Sequence, residues 1–142
     1  MTINEIQDEI IADFGLFPDW MDKYEQIIDT GRELLPMDAQ YRIPENLIKG
    51  CQSSVWLHPE FRNGKVWFSA DSDAIITKGL ISLMVKVLSG HTPQEIVQAD
   101  LYFIPAIGLQ SHLSITRSNG LLAMLKQMKM YAAAYQTLNQ QP

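Results

Sequence analysis

Two short runs of alternating residues, joined by Asn63-Gly64, constrain this chain more than any other feature. From Ser53 to His58 the side chains alternate, with Val55 and Leu57 on one face and Trp56 and His58 on the other. From Lys65 to Ala70 they alternate again, with Val66 and Phe68 opposed to Trp67. Asn-Gly tolerates positive φ at both turn positions, as a tight hairpin requires. The pattern therefore predicts an antiparallel hairpin in mid-chain. Two strands alone are marginal in water, so a third strand is expected, with Gly31 to Tyr41 as a candidate.

Helical patterns lie on both sides. Thr2 and Glu5 have capping-box spacing ahead of an apolar face formed by Ile3, Ile6, Ile10 and Phe14, with Gly15 as the stop. A second helix is predicted from Pro18 to Gly31, with Trp20, Tyr24, Ile27 and Ile28 as its stripe. After the hairpin, Asp71-Ser72-Asp73 supplies candidate N-cap oxygens to a third helix. That helix carries Ile76, Leu80, Leu83, Met84 and Val87 and ends near Gly90. Thr92-Pro93-Gln94-Glu95 opens a short helix to about Gln98, and another short piece is expected between Leu101 and Gly108. The last helix is predicted from after Ser114 to about Leu138, burying Leu121, Met124, Leu125, Met128, Ala132 and Tyr135. Helices, strands, then helices imply an α+β domain with helices packed on a small antiparallel sheet. No linker or repeat divides residues 1–142, so one domain is expected.

The chain has 142 residues, a single cysteine and a formal charge of −5. One cysteine forms no internal disulfide and argues for a reducing compartment. The start, with Asn4, Glu5, Asp8, Glu9 and Asp13 and no basic residue, is unlike a signal peptide. The longest apolar stretch, Gly79 to Leu88, is broken by Ser82 and Lys86 and is too short to cross a bilayer. A cytoplasmic protein without a membrane anchor is the expectation. Nucleic acid is not an expected partner, because the charge is acidic and the basic residues are dispersed.

Cys51 is the first candidate for chemistry. It lies between Gly50 and the polar run Gln52-Ser53-Ser54, just before a strand and after the longest irregular stretch, Glu33 to Gly50. Gly50 permits unusual backbone angles there, and Lys49 would favour the thiolate if it faced the sulfur. A lone cysteine is also commonly a small buried hydrophobe. A cysteine-dependent hydrolase would need a base beside the thiol, and His58 and His112 are the candidates, though neither lies in a protease signature. One cysteine and three scattered histidines do not make a zinc site, and no phosphate-binding glycine motif is present. Neither metal nor cofactor is expected. Asp71 and Asp73 can be read as paired carboxylates, but helix capping is the commoner use.

Several segments together resemble the SufE family. Gly50-Cys51-Gln52-Ser53 followed by Val55-Trp56 is similar to its signature segment. Trp20, Lys23, Tyr24 and Gly31 resemble its N-terminal helix motif. Asp71-Ser72-Asp73-Ala74 leading into Lys78-Gly79-Leu80 resembles the central one. Gly108-Leu109, His112-Leu113-Ser114 and Arg117-Ser118-Asn119-Gly120-Leu121 resemble the C-terminal one. The resemblance runs over about residues 18 to 135. It implies an α+β sandwich like that of the IscU-type iron–sulfur scaffolds. It also implies a sulfur carrier, not itself an enzyme, whose Cys51 accepts persulfide sulfur from a SufS-like cysteine desulfurase. An iron–sulfur scaffold complex is the implied destination downstream. Gly50, Gln52, Ser53, Asp73 and Arg117 are then candidates for restraining the loop or contacting the partner, and Val55, Trp56 and the last helix for shielding the persulfide. With one cysteine the chain can carry sulfur but cannot ligate a cluster alone. A docking activator that never uses the thiol is the alternative.

Overall fold

The computed structural model describes residues 1–139. Its elements are α1 (Ile3–Phe14), α2 (Trp20–Arg32), β1 (Val55–Arg62), β2 (Lys65–Ser72), α3 (Ile75–Leu88), α4 (Pro93–Gln98), α5 (Phe103–Ala106), α6 (Leu109–His112) and α7 (Ile115–Asn139). The fold is α+β, with helices packed on an antiparallel hairpin.

The hairpin forms as the alternation predicts. Asn63 and Gly64 have φ of 53° and 76°, both in the left-handed region that the two-residue turn needs. Arg62 pairs with Lys65 and Val55 with Ser72. β1 runs past the predicted end at His58 because Pro59 fits there. Counting back from the hydrogen-bonded closing pair, Pro59 opposes Phe68 at a non-hydrogen-bonded position, where a missing N–H leaves no gap in the ladder. Val55, Leu57, Val66 and Phe68 all face the core.

The third strand expected within Gly31 to Tyr41 is absent among the described residues. Residues 33–50 instead form a strap over the outer face of β1, with 3₁₀ turns at Ala39–Tyr41 and Pro44–Asn46. Pro36 and Pro44 prevent a continuous ladder. Only Leu47 bridges to Trp56, while the Ile48 N–H donates to the Val55 carbonyl. Side chains fasten the rest. Tyr41 stacks on His58 with ring centroids 3.7 Å apart, and Arg42 Nε lies 2.9 Å from Asp71 Oδ2.

The predicted helices are present with small shifts. The Thr2–Glu5 and Thr92–Glu95 capping boxes both form. α2 begins at Trp20, not Pro18, because the Asp19 carboxylate accepts from the Asp22 N–H and sets the cap. α6 was not expected; Gly108, at φ 81°, separates it from α5 and allows the sharp change of direction. α3 departs most from expectation at its start. β2 continues through Ser72, Ala74 is the N-cap residue, and no side chain caps the first turn. The capping role assigned to Asp71-Ser72-Asp73 is therefore incorrect. Asp71 is drawn to Arg42 and Lys78, and Asp73 to the Cys51 loop.

One core gathers these elements. α3 supplies Leu80, Ile81, Met84, Val87 and Leu88 and lies between α2, β2 and α7. α2 crosses it closely at Gly31 and Gly79. A Cβ on Gly79 would stand 2.2 Å from the Ile27 carbonyl oxygen. α7 closes the far side with Leu121, Met124, Met128 and Ala132.

Candidate functional site

Cys51 occupies the turn between the end of the strap and β1, and it is half-buried. Gly50 puts it there. At φ 93° the backbone is in the region disfavoured for side chains, and a Cβ on Gly50 would meet the Ala123 Cβ at 3.3 Å. The turn thus lies directly against α7. Cys51 Sγ points at α7 as well, 3.6 Å from the Gly120 carbonyl oxygen, to which the thiol donates. Gly120 has no side chain to block the sulfur.

The far side of the turn is held by the end of β2 and the residue that follows it. The Asp73 carboxylate accepts from the Ser54 N–H at 3.1 Å, the Asp73 N–H donates back to the Ser54 carbonyl, and the Ser72 hydroxyl donates to that same oxygen. These three bonds clamp the residue at the base of the Cys51 turn.

The thiol opens on a cleft of about 540 Å³ between α3 and α7. Ala74, Ile76, Leu80 and Met124 make its apolar wall, while Gln52, Ser53, Thr77, Ser114 and Thr116 supply hydroxyl and amide groups. Arg117 is the only charged residue among those lining it, and it makes no ion pair among the described residues. The Ser114 hydroxyl accepts from the Arg117 N–H and so fixes the first turn of α7. Burial pushes the Cys51 thiol above its ordinary range. A thiolate would also face the Gly120 oxygen without a proton to share. At rest the group is a protonated, sheltered thiol.

The candidate residues divide clearly. Gly50, Gln52, Ser53 and Arg117 surround Cys51 in the turn or the cleft, and Asp73 grips the turn from outside. Lys49 is exposed and does not line the cleft. Val55 and Trp56, expected as shields, do not line it either; Val55 belongs to the core, and α3 takes their place. The histidines are engaged elsewhere. His58 stacks on Tyr41, His112 stacks on Trp20 and contacts the Gly108 carbonyl, and His91 contacts the Met1 carbonyl. No histidine lines the cleft, so a hydrolase would lack its base. Ser114 stood in the C-terminal motif without a site role, and Thr77 was not anticipated at all, since its side chain carries no local signal that would single it out.

Over residues 8–132 the chain matches the family described as "SufE: Fe-S metabolism associated domain". It belongs to the SufE family. A similar curated protein is SufE-like protein 1, chloroplastic/mitochondrial, of Arabidopsis thaliana, 42% identical over 125 residues. The aligned part is 87% of this chain but 34% of the plant protein, so this chain spans about a third of that relative. In fold it is similar to a hypothetical protein from Thermus thermophilus, solved in solution. The TM-score is 0.77 at 18% identity, covering 93% of this SufE-family chain and 96% of the other. The family association places the chain in iron–sulfur metabolism.

Proposed function

We propose that this SufE-family protein accepts and carries sulfur for iron–sulfur cluster assembly, taking it on Cys51 from the persulfide of a cysteine desulfurase and activating that enzyme by doing so. The observation that carries the reading is the placement of the only thiol. It lies at the tip of a clamped turn, half-buried, facing a cleft with no competing base or metal ligand set among the described residues.

The chemistry needs little more. Cys51 gives up its proton and leaves the Gly120 carbonyl, and the thiolate attacks the outer sulfur of the partner's persulfide. The S–S bond of the partner breaks, its thiolate departs, and Cys51 holds the persulfide. The cleft then shelters the added sulfur, with Leu80 and Met124 excluding water and reductant. Exposed Ile75 and Ile115, 65% and 81% accessible at the first turns of α3 and α7, provide an apolar rim for the desulfurase. A scaffold complex is the destination of the sulfur. The thiol must stay reduced to act, which suits the cytoplasm.

Mass spectrometry after incubation with a desulfurase and cysteine, without reductant, tests this. The chain gains the mass of one sulfur atom, and Cys51→Ser, still folded, gains none. Stimulation of the desulfurase by Cys51→Ser equal to that by the parent chain would instead establish the docking-activator reading.

A further inference from the structure

The first turn of α3 presents backbone N–H groups that no acceptor among the described residues satisfies. Ala74 offers no side-chain cap, and the N–H groups of Ile75, Ile76 and Thr77 precede the first intrahelical bond, made by Lys78 to the Ala74 carbonyl. This end of a 14-residue helix carries partial positive charge. All three residues line the cleft that holds Cys51.

Thr77 adds an independent observation. The residue is buried, 9% exposed, yet its hydroxyl makes no hydrogen bond among the described residues. No polar side-chain atom among them is both enclosed and unpaired. The Thr77 hydroxyl therefore reaches open space, and the space Thr77 lines is the cleft. Across it stand the unpaired Arg117 and the first turn of α7. Asp73, the nearest carboxylate in sequence, is turned to the Ser54 N–H and is not part of the lining. In a chain of net charge −5, this cleft holds one cation and no anion.

We infer that the cleft is a binding site for a small sulfur-bearing oxyanion, and that thiosulfate bound there donates sulfur directly to Cys51. The sulfonate oxygens take the α3 N–H groups and the Thr77 hydroxyl, and the outer sulfur faces Cys51. The cleft, about 540 Å³, has ample room, since one water occupies about 30 Å³ in the liquid. The thiolate attacks the outer sulfur, and the S–S bond of thiosulfate breaks. Sulfite leaves with the bonding pair, Cys51 becomes a persulfide, and the thiol proton passes to solvent. No other oxidant or reductant is needed. This rests on the proposed capacity of Cys51 to hold a persulfide but requires no desulfurase.

Two measurements on the intact chain decide it. The first compares alkylation of Cys51 by iodoacetate and by iodoacetamide, a ratio in which the thiolate fraction cancels. The ratio should exceed that of glutathione, and Thr77→Val should lower it roughly three- to tenfold, the effect of a partly solvated hydrogen bond to an anion. Thr77→Ser should restore it. Unchanged iodoacetamide reactivity in Thr77→Val shows that the cleft is otherwise intact. The second incubates the chain with excess thiosulfate. One sulfur atom should be gained and one sulfite released per chain, more slowly in Thr77→Val and not at all in Cys51→Ser. A ratio equal to glutathione's, or no sulfur gained from thiosulfate, overturns the inference. Loading by a desulfurase but not by thiosulfate removes this inference and leaves the proposed function standing; the reverse removes only the desulfurase.

Discussion

At the scale of single residues, reactivity at Cys51 is a competition between shelter and release. The clamp on Ser54 is one hydrogen bond to an exposed carboxylate, supported by two to the Ser54 carbonyl. Removing the carboxylate frees the turn without touching the thiol. Asp73→Ala should raise the iodoacetamide rate at Cys51 about fivefold, the equivalent of a hydrogen bond of about 1 kcal/mol. An unchanged rate would show that the clamp does not restrain the thiol. The pH dependence has a defined sign. Burial raises the Cys51 pKa in the folded chain, so the alkylation profile should rise at higher pH than that of the urea-unfolded chain. By linkage, the unfolded state releases its thiol proton first. Stability is therefore full below the ordinary thiol pKa and falls as pH rises from there through the raised folded value. Denaturant titrations across that window, with Cys51→Ser as the reference that lacks only the thiol, isolate its share by difference.

At the scale of elements, position is decided by close approaches. α2 and α3 cross where Gly31 and Gly79 meet, with no room for a Cβ on Gly79. Gly79→Ala forces the Ile27 backbone away and should destabilise the chain by about 3 kcal/mol, at the upper end for overpacking. Urea unfolding reads it as a lower midpoint at unchanged slope. Because α3 also forms one wall of the cleft, iodoacetamide reactivity at Cys51 should change in the same variant. The capping boxes and the Asn63-Gly64 turn are legible in the chain because their signals span a few adjacent residues. The start of α3 is not. Asp71-Ser72-Asp73 has the composition of a cap, but Arg42 and Ser54, brought from elsewhere, and Lys78 of α3 itself draw its carboxylates away.

At the scale of the whole molecule, a few buried polar residues tie distant segments. Gln7 is fully buried, donates to the Asp100 carbonyl and accepts from the Phe103 N–H. It fastens α1 to α5 and so anchors the connection that leads to α7. Gln7→Ala leaves both backbone groups unpaired and should cost about 2–4 kcal/mol, from the desolvation penalty of each. Thermal or urea unfolding checks this, and Gln7→Glu should not restore stability, since a carboxylate cannot donate to Asp100.

The sequence by itself determined the hairpin, the helices around it, the α+β class and Cys51 as the residue to watch. Each rests on periodicity, turn chemistry or composition, which act over short stretches of chain. Only the tertiary structure decided what surrounds the thiol. The Gly120 carbonyl, the Asp73 clamp, and the cleft with Thr77 and Arg117 depend on α3 and α7 converging on one turn. That convergence is set by long-range packing: the family resemblance pointed to Asp73 and Arg117, but no local pattern places them, Thr77 and the Gly120 carbonyl around the thiol. The replacement of a third strand by a side-chain-pinned strap has the same origin. Its partners, His58 and Asp71, lie on the hairpin, and they come within reach only once the chain has folded.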